Sequence, residues 1–209
     1  MSLSLSVPNS DEQRRKVLID LTQQALSDSS RLISSLGQSE IKFKLDSISR
    51  LIKSDLNTVF HENESNMVAV SQRLEGSNSG HILFMLPEPS ALVLIKKLLN
   101  ERNLLKEMTE MEEESLTEVG NIIINNCLRY FVKVFHESIS GLIPTLSRGH
   151  YEKLVDTLIN DASDKDIYLV KINVAIGIYS FNGYILWLGH LCQVHTGPSL
   201  PYSSSVVQD

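Results

Sequence analysis

Two short apolar runs, GHILFML at Gly80–Leu86 and GYILWL at Gly183–Leu188, match at an offset of 103 residues and constrain the fold more than any other feature. Each closes a segment with one order of signals: long helix, short strand, short helix, hairpin. In the first segment, Asp11–Leu36 carries Val17, Leu18, Leu21, Ala25, Leu32 and Leu36 on or near one helical stripe, and Gly37 ends it. Ile41–Phe60 reads as a short strand turning into a short helix. Met67–Glu75 and His81–Leu86 flank a GSNSG turn, which is a hairpin signal. Pro87–Arg102 follows as a helix with a proline near its start.

The second segment repeats this order. A charged connection, Asn103–Glu113, leads into a long helix running to about Glu137. Leu142–Leu146 then reads as a short strand and Tyr151–Asn160 as a short helix. Asp166–Tyr179 and Tyr184–Leu188 read as a hairpin around SFNG. An offset of 98 residues pairs Asp20 with Glu118, Gln23 with Asn121 and Asp46 with Pro144. The pattern predicts an α+β fold with pseudo-twofold symmetry, an antiparallel sheet covered by long helices. It predicts one domain over residues 11–198, built of pseudo-repeats at about 11–102 and 109–190, with flexible tails at 1–10 and 199–209.

Composition narrows the function. Apolar residues make up 42% of the 209 and charged residues 21%, the balance of a soluble globular protein. The net charge of -6, with scattered Lys and Arg, argues against nucleic acid as the partner, because phosphate binding needs clustered cations. Apolar runs such as Ile82–Leu86 fall far short of the roughly 20 residues of a membrane helix. The first residues, MSLSLSVPNSDEQRRK, lack a basic stretch followed by an apolar core, so no signal peptide and no membrane partner is expected. Cys127 and Cys192 sit in apolar surroundings and read as buried thiols of a cytoplasmic protein. The six histidines show no ligand spacing, and neither a nucleophile elbow nor a phosphate-cradling glycine loop is present.

The chemistry-bearing stretch is Glu112–Pro144, which begins EEESLTEVGNIIINN. At about 100° per residue, Leu116, Val119, Ile123, Cys127, Tyr130, Phe131 and Val134 form one apolar arc. Glu114, Glu118, Asn121 and Asn125 fall within about 60° of each other on the opposite side. Every surface helix has a polar face, but asparagine is a mediocre helix former and is an unusual choice for one. Gly120 costs roughly 1 kcal/mol in a helix interior, so something must approach the backbone closely there.

These residues resemble the signature of the CheC/CheX/FliY family of chemotaxis phosphatases: Asp or Ser, three residues, Glu, two residues, Asn, twenty-two residues, Pro. Glu118 and Asn121 have the required spacing, Ile122–Ile143 supplies the twenty-two residues, and Pro144 ends the motif. The first position departs from the pattern, being Glu114. The resemblance spans roughly Asp11–Leu188. The family often carries a second copy of the motif in its first half. Here that copy reads Lys16, Asp20, Gln23, Asp46, with two side chains of the wrong length and the proline gone, and it reads as a degenerate site.

The resemblance implies action on the aspartyl phosphate of a CheY-type response regulator. Asn121 would orient the attacking water with its carboxamide, and Glu118 would pair with the regulator's active-site lysine. The regulator would supply Mg²⁺, so the chain needs no cofactor of its own. A CheD-like deamidase binds some relatives, and a homodimer is a further possible assembly. Two other readings stay open: a non-catalytic module that sequesters a phosphorylated regulator or serves in a flagellar switch, and a structural role for Asn121 and Asn125 at a subunit contact.

Overall fold

The structure is a computed structural model that describes residues 11–37, 39–60, 66–76, 79–101, 107–135, 138–160 and 167–189. Its elements are α1 (Asp11–Leu36), β1 (Ile41–Leu51), α2 (Lys53–Phe60), β2 (Met67–Gly76), β3 (Gly80–Pro87), α3 (Glu88–Leu98), α4 (Glu110–Phe135), β4 (Ile139–Gly141), β5 (Thr145–Gly149), α5 (Tyr151–Asn160), β6 (Ile167–Ile176) and β7 (Tyr179–Leu188). All described strands join one antiparallel sheet of order β1-β6-β7-β3-β2-β4, with β5 also on β2.

That order is its own mirror once β4 and β5 together are matched to β1. Each half lends its first strand to the other half's hairpin, so β1 pairs β6 while β4 and β5 pair β2. The symmetry axis passes between β3 and β7. Leu83 pairs Leu186, its own counterpart at the offset of 103, and the pair Ile82↔Trp187 maps onto Phe84↔Ile185. The fold is therefore α+β, pseudo-twofold and duplicated.

Side-chain alternation along each strand divides the core. Val68, Val70, Ile82, Phe84, Ile185 and Trp187 bury against α1, α3 and α4 on one face. Ala69, Leu83, Met85, Tyr184 and Leu186 bury against α2 and α5 on the other. A central strand covered on both faces has no polar side, which is why Ile82–Leu86 is uninterruptedly apolar.

Several elements differ from the sequence reading. Leu32 and Leu36 are exposed, and the buried stripe of α1 runs through Leu18, Thr22, Ala25, Leu26, Ser29 and Ile33. Thr22 and Ser29 hide in that stripe because their hydroxyls donate to the carbonyls of Leu18 and Ala25, each at 2.8 Å. β1 is a full strand of 11 residues rather than a short one. Helix α3 stops at Leu98, short of Arg102, because Asn100 turns to φ 54 and the N–H groups of Asn100 and Glu101 close on the carbonyls of Lys97 and Lys96.

The second hairpin turns at Gly177, whose φ of 57 suits a two-residue loop, while Ser180–Gly183 lies inside β7 opposite Ile172–Ala175. Of the short strand expected at Leu142–Leu146, Thr145 and Leu146 open β5, whereas Leu142–Pro144 form the break between β4 and β5. Pro144 lacks the N–H that a ladder needs, and three residues, Leu142–Pro144, face Gln72 and Arg73 there. β1 has its own register shift around Asp46, the counterpart of Pro144.

Helices α1 and α4 cross through a charged node. Asp28, with 13% of its side chain exposed, accepts from the Tyr130 hydroxyl at 2.5 Å and from Arg129 at 2.9 Å, and it pairs with Arg31. The Tyr130 hydrogen bond, followed by the arginines, holds the Asp28 carboxyl below its ordinary 3.8 despite burial. A lowered carboxyl stabilises the fold above its unfolded pKa, and that contribution is lost as pH falls through the folded value. Stability should therefore drop as acid is added below pH 3.8, and Asp28→Asn should flatten that part of the curve in urea titrations. A wild-type curve as flat as the variant's would contradict the node's role.

Candidate functional site

Helix α4 begins with a capping box that the sequence reading passed over. The Thr109 N–H donates to Glu112 Oε2 at 2.7 Å, and the Glu112 N–H donates to Thr109 Oγ1 at 3.3 Å. Burial raises the Glu112 carboxyl, but the Thr109 N–H and the Lys96 ammonium, at 3.3 Å, outweigh it and hold the pKa below the ordinary value. Arg148 on β5 ties this end to α3 through Glu113 at 3.3 Å and Glu88 at 3.7 Å. The start of α4 is thus fixed to its neighbours, and everything one turn further on is positioned with it.

Gly120 answers the question its presence raised. A Cβ there would stand 2.5 Å from Val70 Cβ and 2.7 Å from both of its methyls, so the close approach is that of β2. Seating α4 on β2 at this point brings the polar ridge to the edge of the sheet. Glu118 is exposed and Asn121 half-buried beside it. Asn121 Oδ1 accepts from Gln72 Nε2 and from Asn125 Nδ2, both at 2.7 Å. Asn121 Nδ2 donates to Glu118 Oε2 at 3.4 Å.

Both lone pairs of the Asn121 carboxamide oxygen are thereby engaged. The amino group is the end left to act outward, since among the described residues only one of its two hydrogens has a partner. Glu114 is exposed one turn earlier on α4. Pro144 is half-buried in the strand break beside Gln72, so Glu118, Asn121 and Pro144 all gather around one stretch of β2, Val70–Gln72.

Gln72 is the residue that sequence reasoning missed. It is 2% exposed, its Oε1 lacks a hydrogen-bond partner among the described residues, and Gly141 of β4 packs directly on that oxygen. An unpaired buried carbonyl costs about 1–3 kcal/mol. The available signal was its place on the core side of β2, where it interrupts the alternating apolar positions Val68, Val70 and Leu74.

The first half lacks this arrangement. Lys16, Asp20, Gln23 and Asp46 are all exposed. Gln72 pairs Ile82 as Val170 pairs Ile185, which makes Val170 the counterpart of Gln72. Ser27 stands where Asn125 stands in the second half. Cys192 and the histidines His61, His136, His190 and His195 lie outside the described residues. Cys127 is buried, and burial pushes its thiol up to about 12. His81 and His150 are half-buried on β3 and just before α5, with His150 at 3.6 Å from Glu152. Among the described residues no helix is long and apolar enough to cross a membrane.

No family model matches the sequence, and no curated protein does. Solved structures do. FliY from Thermotoga maritima superposes with a TM-score of 0.67 over 87% of this chain and 91% of its own, at 12% identity. The chemotaxis protein CheX from Vibrio vulnificus superposes with a TM-score of 0.53 over 82% of this chain and 99% of its own, also at 12% identity. This chain has the CheC/CheX/FliY fold. FliM from the FliG–FliM complex of H. pylori shares the CheC-like fold too, with a TM-score of 0.64 over 86% of this chain and 94% of its own, at 15% identity. Within a CheC-like frame, the amide cluster on α4 and β2 belongs to the second pseudo-repeat alone.

Proposed function

We propose that this chain is a phosphatase for the aspartyl phosphate of a CheY-type response regulator. The observation that carries the reading is the exposed Glu118 beside an Asn121 carboxamide whose oxygen is held by two 2.7 Å hydrogen bonds. An acyl phosphate is reactive already, so a helper needs only to orient water and to stabilise the displacement. The outward Nδ2–H of Asn121 would donate to the water oxygen and leave its other lone pair aimed at phosphorus. As the water oxygen bonds to phosphorus the bond to the aspartyl oxygen breaks, giving a carboxylate and inorganic phosphate that carries both of the water's protons. Glu118 would pair with the regulator's lysine, and Mg²⁺ would be the regulator's own. Leu142 and the largely exposed Ile143 follow Gly141 and add apolar surface next to the ridge.

The test is the decay of a CheY-type regulator phosphorylated with acetyl phosphate and then freed of donor. The chain should accelerate decay. Glu118→Ala should raise the KM for the phosphorylated regulator about tenfold, as expected for a lost charge-assisted hydrogen bond. Complex formation with unchanged decay would contradict the phosphatase and leave the sequestering or flagellar-switch module. That second reading is favoured by Glu114 at the motif's first position, and by the likeness to FliM, which was solved in a complex with FliG.

A further inference from the structure

Gln72 is out of place by every rule that shaped the rest of β2. It faces α4 from the core side of the strand, almost wholly buried, and its carbonyl oxygen has no partner among the described residues. The fold itself does not ask for it, because the symmetric position on β6 is filled by Val170. The strand break at Leu142–Pro144 and the glycine at 141 leave room for its head group, where a side chain at 141 would collide with Oε1. What Gln72 does gain is one short hydrogen bond, 2.7 Å from its Nε2 to Asn121 Oδ1.

We propose that Gln72 is a positioning residue that fixes the Asn121 carboxamide with its amino group outward. Asn125, one turn along α4, supplies the second donor to the same oxygen. Asn125 is exposed, so water competes for its bond, whereas the Gln72 bond comes from the protein interior. With both donors present, rotating the carboxamide by half a turn would set an amino group against two amino groups. Without Gln72 one of those penalties vanishes, and the outward face alternates between a donor and an acceptor. The proposal rests on the phosphatase reading only for what the outward amino group then does.

The test is Gln72→Met, which keeps the length of the side chain and removes both polar atoms. Two readouts are taken on the full chain. The ¹⁵Nδ2 order parameter of Asn121 should match the α4 backbone in the wild type and fall well below it in the variant. In the regulator-decay assay, kcat should fall about 10- to 100-fold while KM stays unchanged, the mark of a misoriented group rather than a lost contact. The unfolding midpoint should stay the same or rise, because an unpaired buried oxygen has been removed. Should Gln72→Met fail to fold, Gly141→Ala displaces the same head group from the sheet edge and should give the same two changes. An Asn121 order parameter unchanged in a folded variant overturns the proposal. A wild type that does not accelerate decay overturns the phosphatase reading instead, and the order parameter still decides the role of Gln72.

Discussion

Gly120→Ala is expected to destabilise the protein by about 1–3 kcal/mol, although the same change in an open helix would gain about 1 kcal/mol. The added carbon would sit 2.5 Å from Val70 Cβ, well inside the 3.5–4.0 Å at which two carbons attract. Val70 is 1% exposed and held between Phe84 on β3 and Leu146 on β5, so it has no free direction in which to move. Helix α4 would have to lift from β2, and Asn121 would lift with it. Gly120→Leu should therefore consume most of the 5–15 kcal/mol that holds a typical domain together. Urea unfolding measures both changes, and adding Val70→Ala should return much of the loss from Gly120→Ala. A midpoint unchanged by Gly120→Ala would mean that α4 is not seated on β2 as described.

The second large effect is on rate. Asn121→Asp should leave a folded protein in which one carboxylate oxygen still accepts from Gln72 and Asn125. The other oxygen, however, would replace the outward Nδ2. The variant would thus turn a donor into a charged acceptor beside an anionic phosphoryl group. Loss of one such donor costs about 10²–10³ in kcat. Asn121→Ala should lose as much without adding the charge. If Asn121→Asp accelerates regulator decay as well as the wild type does, Asn121 orients nothing.

The sequence shows the frame of this molecule because the frame rests on repetition. GHILFML and GYILWL became the two strands that meet on the symmetry axis, and the helix–strand–helix–hairpin order became a sheet that mirrors itself. Where local signals compete, the sequence is less readable. SFNG looks like a turn, but Gly183 instead lets Leu86 and Ile172 pack over β7, and the chain turns at Gly177. Thr22 and Ser29 look polar yet are buried, because each satisfies its hydroxyl within its own helix. The ridge of Glu118, Asn121 and Asn125 could be placed from helical spacing alone. The orientation of the Asn121 carboxamide could not, because it depends on a glutamine 49 residues away on a strand.

The central claim is that α4, and not its counterpart α1, enters the regulator's phosphorylation pocket. A single spectrum holds both candidates, the side-chain amide signals of Asn121 and Gln23, in protein titrated with a CheY-type regulator activated by Mg²⁺ and beryllofluoride. The account predicts that the Asn121 signals shift and broaden on complex formation while those of Gln23 stay where they are. Movement at Gln23 alone, or a complex that leaves both unmoved, would contradict it.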